Sequence, residues 1–517
     1  MNKRVVGALV LLVLGLIVIA GLYYALPLLL DKEQRETSNA KDTRGSISLA
    51  LDNWTGYFIL RSPEMKQQLR RQGWLLKIED DNSDLPGRMK KLSEGQLDFA
   101  VATIDSYILN AMKLNYPGII ISVIDESKGG DAILARKEKV SNLDQIKANP
   151  DLRVAYTPDS PSHFLAKATS YHFNIPELLP KDKFKIETKG SEEALKKLLA
   201  GKTDIAILWE PDVSKALRNK EIVKILGTED TERLIVDVLL VSRKFSKENP
   251  STVKQFLSTY FQVLKLYSDD LPLLTKHLMQ DSGLPEESVV PMLKGVRWVN
   301  LTENCERWFG ISSPGMKGDE DIISTIESTV GVLKAAGDFT SSPLPNGDPY
   351  RIVYSNYLEE LFLKGVSGFT AKKGAETENS LEAKFSLLNP AEWDKLKEIR
   401  TLKVDVNFQH GDSQLDLLAR EAVDKSVEML KHYPHFRVII RGHTDTRGDP
   451  EENMKMSQER ADTVEKYLEV TYSINPNRLR AIGLGGTKPL SKEPGETLRK
   501  WSYRLPRVEL VLVREEL

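Results

Sequence analysis

The sequence predicts an α/β protein: a transmembrane helix, then a large α/β domain, then a small βαβαββ domain. Three observations predict it. An uncharged run, Val5–Leu30, opens the chain; short apolar runs then alternate with helical patterns from Ser46 onward; and a second strand–helix pattern fills Ile399 to Leu517. At 517 residues the chain is too long for one ordinary core. Charged residues at 28% and hydrophobic ones at 41% describe a mostly globular chain. Lys and Arg number 72 against 74 acids, a formal charge of -2, so the basic excess of a nucleic-acid-binding protein is missing and no such partner is expected. The single cysteine, Cys305, excludes an intrachain disulfide and any multi-thiolate metal site, and is expected to be a small buried hydrophobe.

Lys3 and Arg4 precede the apolar run, whose 26 residues carry no ionisable side chain except Tyr23 and Tyr24. As a helix it spans about 39 Å, more than the roughly 30 Å of bilayer hydrocarbon. A secretory signal has an apolar segment of only about 7–15 residues. Residues 1–30 are therefore expected to be an uncleaved signal anchor, and 31–45 a polar tether. No cysteine follows the run, which excludes a lipoprotein anchor. Lys3 and Arg4 favour a cytoplasmic amino end, and Lys32 and Arg35 partly cancel that bias.

In the middle of the chain the expected strands are Ile47–Leu51, Leu75–Ile78, Phe99–Ile104, Ile119–Ile124, Val154–Tyr156, Ile205–Leu208 and Val236–Val241. Helical segments such as Leu85–Glu94, Phe164–Tyr171 and Glu192–Leu199 separate them. Ligands of open α/β sheets bind beyond the carboxyl ends of strands, so the segments following these strands carry the candidate contacts. They are Asn53 and Trp54, Thr103 and Asp105, Ser127 and Asp131, Ser160 and Ser162, and Glu210. Ser160 and Ser162 stand before an apolar helix, whose free N–H groups suit an anion. Trp54 offers a flat apolar wall with an indole donor. Asp105, Asp125, Glu126, Asp131 and Glu210 equally suit a cationic amine, so the residues leave the ligand's charge open. No zincin, Walker or nucleophile-elbow motif is present, and no metal, cofactor or catalytic residue is expected.

Two units of the form helix–Gly–x–x–Asp–apolar–Ala order this region, at Gly95-Gln96-Leu97-Asp98-Phe99-Ala100 and Gly201-Lys202-Thr203-Asp204-Ile205-Ala206. Trp209-Glu210-Pro211 follows the second. This set resembles the periplasmic solute-binding proteins of the taurine, aliphatic sulfonate, nitrate and thiamine-precursor group, over roughly residues 46–366. The resemblance implies two α/β lobes, joined by crossover strands, that close on one small molecule; such a receptor is expected to serve an ABC-type uptake or sensing system, with an ABC permease as a possible partner. Asp338–Pro349 is rich in turn formers, Tyr357–Leu361 reads as a last helix packed back on the lobes, and 367–398 reads as a polar linker.

In the last domain Val404, Val406 and Phe408 alternate with polar residues as a half-buried strand, and Leu415–Val427 follows with helical spacing. Phe436–Ile440 is a second strand. Asp449-Pro450-Glu451-Glu452 then starts a helix: aspartate caps, proline fits the first position and the acids favour the dipole. Leu479–Ile482 and Val508–Val513 complete βαβαββ. His432-Tyr433-Pro434-His435 brings two imidazoles close, but Pro434 breaks helical spacing and the stretch reads as a turn rather than a metal site.

The pattern Phe408…Ser413-x-Leu415, Gly442-His443-Thr444-Asp445, Asn453…Ser457-x-x-Arg460-Ala461 and Gly483-x-Gly485…Pro489 resembles the OmpA-like peptidoglycan-binding domain over 399–517. That resemblance implies that Asp445 and Arg460 hold the diaminopimelate of the wall peptide, with Thr444, Asn453 and Arg507 beside them. A zwitterionic amino-acid end needs an acceptor for its ammonium and a bidentate donor for its carboxylate. The family's Asn-Arg-Arg before the last strand is here Leu505-Pro506-Arg507, so only Arg507 matches, with Arg504 as a nearby substitute.

Together these readings lead to a non-catalytic solute receptor, single-pass in the inner membrane with its bulk in the periplasm, that grips peptidoglycan. The alternatives are a structural wall-to-membrane tether with a vestigial cleft, and a stator-like motor subunit. The second is disfavoured because the apolar run lacks the carboxylate that an ion path needs.

Overall fold

The computed structural model describes residues 44–311, 320–363, 385–402, 406–408, 412–493 and 495–514. Val5–Leu30 lies outside the described residues, and among those described no helix is long and apolar enough to cross a membrane.

Three sheets carry the chain. The first contains β1 (Gly45–Leu51), β2 (Trp74–Asp80), β3 (Phe99–Thr103), β4 (Gly118–Ser127), β10 (Val236–Ser242) and β11 (Val296–Trp298), ordered β11-β4-β10-β3-β1-β2. The second contains β5 (Asp131–Arg136), β6 (Val154–Tyr156), β7 (Lys185–Glu187), β8 (Ile205–Trp209) and β9 (Ile222–Gly227), ordered β7-β6-β8-β5-β9. Every strand expected between Ile47 and Val241 has its counterpart here. β5, β7, β9 and β11 were not among the expected strands; β7 and β11 are three-residue edge strands, too short to show alternation. Helices flank the sheets, and Cys305 is buried among them.

The chain passes between these two lobes twice, from β4 into β5 and from β9 into β10. The crossovers are tied together: Ser127 Oγ and Thr228 Oγ1 are 2.7 Å apart, and Gly129 N donates to Thr228 Oγ1 at 2.9 Å. The Gly295 carbonyl accepts from Lys128 N at 2.8 Å and Gly130 N at 3.0 Å. A Cβ on Gly130 would stand 2.3 Å from the Trp54 ring and 2.8 Å from that carbonyl, so only glycine lets the first crossover pass there.

The third sheet contains β12 (Lys397–Thr401), β13 (Val406–Asn407), β14 (Arg437–His443), β15 (Leu479–Gly483) and β16 (Arg507–Arg514), ordered β12-β16-β14-β15 with β13 also on β16. The βαβαββ order expected from sequence is there, preceded by β12 and with a short helix, Leu498–Arg504, before the last strand. Val438, Ile440, Leu510 and Leu512 face the helices, while Ile439, Val511 and Val513 meet Trp393 on the opposite face. Packing on this sheet already involves Phe385, whose carbonyl accepts from Asn477 Nδ2 at 3.1 Å, inside the stretch read as linker.

The turn His432–His435 is the contact between this domain and the lobes. His432 Nε2 is 2.8 Å from Ser328 Oγ, and its carbonyl accepts from Glu232 N, in the second crossover, at 2.8 Å. Tyr433 is fully buried against Phe173, with its hydroxyl 2.8 Å from His172 Nδ1. Arg514 pairs with Asp230 nearby. Tyr433→Ala should therefore cost about 3–5 kcal/mol through the lost ring, and Tyr433→Phe about 1 kcal/mol through the lost hydrogen bond. Urea unfolding of the full chain checks both values.

Candidate functional site

The carboxyl ends of β1 and β3 in one lobe and of β6 and β8 in the other converge on a single cavity. Asp52, Trp54, Thr103, Asp131, Ser160 and Trp209 line it, with Tyr57, Ser106 and Asp237. Its walls enclose about 360 Å³ out to the mouth but leave about 20 Å³ in which the centre of a water molecule fits. That is room for little more than one water, so any larger ligand requires the lobes to part.

Of the residues expected from sequence, Trp54, Thr103, Asp131 and Ser160 line the cavity and the others do not. Asn53 is exposed and accepts weakly from Trp209 Nε1 at 3.4 Å. Asp105 is buried behind Thr103. Ser127 braces the crossovers and donates no contact to the cavity wall. Ser162 Oγ accepts from Thr157 N at 3.1 Å, and Ser160 Oγ donates to the Thr157 carbonyl at 2.6 Å, so neither hydroxyl reaches forward as a helix cap. Glu210 turns away to accept from Ser214 N at 2.9 Å and Ser214 Oγ at 2.7 Å. Sequence reasoning missed Asp52, Tyr57, Trp209 and Asp237 as cavity residues. The signal for Asp237 was an acid inside the apolar run Val236–Val241; a buried carboxylate there needs a reason.

The site is strongly acidic. Asp237 on β10 pairs directly opposite Asp125 on β4, and Tyr57 Oη donates to Asp237. Trp54 Nε1 donates to Asp125 Oδ1 at 3.2 Å. Burial pushes the Asp125 carboxyl up to about 8 and Asp131 up to about 7, with neighbouring acids adding to both; Asp237 is raised in the same way. Among the described residues, no Lys, Arg or His lines the cavity. Arg88, fully buried, is committed to Asp52 Oδ2 at 3.0 Å, Asp81 Oδ2 at 2.6 Å and the Val101 carbonyl at 2.8 Å. Lys167 is held by Asp338 Oδ1 at 2.8 Å. Arg88→Ala leaves two carboxylates unpaired in a closed interior and should cost about 3–5 kcal/mol, read from the urea midpoint.

A second site lies at the end of β14. The helix Pro450–Tyr472 presses on β14 and β15 through glycines: a Cβ on Gly442 would stand 1.9 Å from the Ser457 carbonyl, and one on Gly483 would stand 2.6 Å from Gln458 N. That close approach brings Arg460 under the strand end. Its Nη1 donates to the His443 carbonyl at 3.3 Å, two residues before Asp445, and its Nε to the Asp412 carbonyl at 2.9 Å. The guanidinium lies over the Phe408 ring at 5.2 Å and is only 2% exposed. Asp445 is 13% exposed by side chain and accepts from Arg447 Nε at 2.9 Å; that guanidinium holds its carboxyl below the usual range. Arg447 itself is 76% exposed. Asn453 Nδ2 fixes this loop through the Arg447 carbonyl at 2.9 Å, and Thr444 is buried beside it. Arg507 pairs across from His443 in the sheet and binds Glu509 at 2.7 Å. Arg504 is taken up by Glu496 at 2.8 Å.

Comparisons with known proteins give a family match in the carboxyl-terminal part of the chain. Residues 407–500 match the OmpA family model. The peptidoglycan-associated lipoprotein of Pseudomonas aeruginosa is 34% identical over 103 residues, 20% of this chain and 58% of that protein. The one from Legionella pneumophila is 35% identical over 82 residues, 16% of this chain and 46% of that protein. Outer membrane porin F of Pseudomonas aeruginosa is 28% identical over 94 residues, 18% of this chain and 27% of that protein. The chain thus spans between 27% and 58% of these relatives' lengths. Among solved structures, the periplasmic aliphatic sulphonate binding protein of Escherichia coli is 14% identical with a TM-score of 0.46, covering 61% of this chain and 99% of that one. The alkanesulfonate-binding protein of Xanthomonas axonopodis pv. citri, bound to MOPS, is 15% identical with a TM-score of 0.45, covering 60% of this chain and 98% of that one. The two-lobed reading rests on the sheet orders and crossovers above, and the chain joins that two-lobed α/β domain to an OmpA domain at its carboxyl end.

Proposed function

We propose that the protein is an envelope-located solute receptor, membrane-anchored by Val5–Leu30, that closes its two lobes on a small molecule and grips peptidoglycan through its OmpA domain. The observation that carries the reading is the meeting of four strand ends from two lobes on one cavity, beside tied crossovers suited to hinge motion. The wall function is supported by Asp445 and Arg460 gathered at one strand end, the residue types that a diaminopimelate end requires. Anchoring at two points holds the receptor near a permease or sensor at high effective concentration. Co-sedimentation of the full chain with purified sacculi, competed by free diaminopimelate, tests the wall half. Mass spectrometry of small molecules released from the purified full chain by denaturation tests the cleft; a chain that carries and accepts no ligand supports the purely structural tether instead.

A further inference from the structure

The geometry points to a small organic cation as the cleft's ligand: a protonated amine or amidinium on a flat body, seated between Trp54 and Trp209 with its charge against Asp131. The assignment rests on the cavity being a ligand site and adds the ligand's chemical class.

Four independent features lead to it. Asp131 lies at the start of β5, 1% exposed, and lines the cavity; its Oδ1 has no hydrogen-bond partner among the described residues. An orphaned carboxylate oxygen in a closed interior is costly unless a donor from outside completes it. Second, Asp52 and Asp237 bring two further carboxyls to the same walls, and none of the lining residues is cationic. Third, the basic side chains nearby are already engaged: Arg88 joins Asp52 to Asp81, and Lys167 pairs with Asp338. A sulfonate or nitrate entering here would meet Asp131 and Asp237 with no Lys, Arg or His among the described lining residues to compensate them. The remaining helix start gives at most three backbone donors, of Ser160, Ser162 and His163, before Phe164 begins the intrahelical bonds, and they carry no full charge to set against the acids.

The fourth feature is the pair of indoles. Trp54 Nε1 is spent on Asp125, and Trp209 Nε1 is directed to Asn53, so neither indole N–H serves the cavity's contents and what the two rings offer there is their π systems. A ring face is what a cation binds, and it favours a desolvated ammonium or amidinium over an anion. A metal ion would want three or more clustered His, Cys, Asp or Glu ligands, and among the described residues no such group is present.

The test is a thermal-shift and calorimetric screen of the purified full chain. The panel is primary amines, amidinium compounds and quaternary ammonium compounds, each matched to a neutral isostere and to a sulfonate of the same size, with calcium chloride as a metal arm. Expected are saturable stabilisation by cations alone and a loss of affinity of at least tenfold in both Asp131→Asn and Trp54→Ala. Asp131→Asn should leave the free protein as stable or more so at pH 8, which separates lost binding from lost folding; Asp237→Asn serves as the second variant. Stabilisation by the sulfonate or neutral members, or by calcium, overturns the cationic assignment and leaves the cleft as a ligand site. Cation binding undiminished in Asp131→Asn overturns it too. No response to any member overturns both the assignment and the receptor reading on which it rests.

Discussion

Asp445→Ala is expected to release the full-length chain from purified peptidoglycan sacculi, weakening binding at least about tenfold, since truncating one partner of a charge-assisted contact costs about 2–5 kcal/mol. The side chain is half-buried at a strand end and its strong partner among the described residues is the exposed Arg447, so the domain should fold normally without it. Arg460→Ala should release the chain as well, but with a loss of stability, because the buried guanidinium also ties the Asp412 and His443 carbonyls and covers Phe408. Arg460→Lys keeps the charge and loses the fork, and should bind sacculi weakly while folding better than the alanine variant. Arg447→Ala gives the opposite sign. Arg447 occupies the carboxylate that a wall ammonium needs, so its removal should tighten binding. Unchanged sedimentation in both Asp445→Ala and Arg460→Ala would remove the wall site.

Raising the pH from 6.5 to 8.5 is expected to destabilise the ligand-free chain by on the order of 2–3 kcal/mol, a fall of roughly 5 °C in Tm. Burial lifts Asp131 to about 7 and Asp125 to about 8, from an ordinary 3.8. A carboxyl that holds its proton more tightly folded than unfolded makes the folded state the better proton binder, so stability is fully present at low pH and is lost as pH rises through the folded value. The charges of Asp105, Glu210 and Asp52, all of them acids, raise Asp131 further, so no neighbouring cation reverses the sign. Asp105 and Glu210, each raised to about 7, act in the same direction. Burial depresses His163 and His172 to about 3; they oppose this trend mostly below their ordinary 6.5, and only the tail of that effect reaches the lower end of the window. Scanning calorimetry across that range checks the slope. Asp131→Asn should flatten part of it, and a slope of opposite sign would mean that the cleft acids are ionised without strain.

Much of this architecture was legible in the sequence. Central strands such as Phe99–Thr103 and Ile205–Trp209 are continuous apolar runs because both faces are covered, and Asp449-Pro450 marks a helix start by local chemistry alone. The pairing of Gly442 with Gly483 was visible only as a motif; its reason, a helix backbone pressed against two strands, needed coordinates. The turn at His432–His435 read as a bland loop, since no local pattern says that a tyrosine will be buried by another domain.

What the sequence determined by itself was the α/β class, many of the strands and helices, the residue types of the wall site and the absence of a net charge suited to nucleic acid, because each of these follows from local periodicity, local motif or composition. Only the tertiary structure decided which polar residues meet. Asp52, Asp131 and Asp237 stand 185 positions apart from first to last, and no spacing rule relates them; two crossovers and two sheet orders bring them to one cavity. Burial in that shared space, rather than any residue's identity, raises Asp131 and Asp237, since the cost of a charge depends on the water and counter-charges the fold leaves around it.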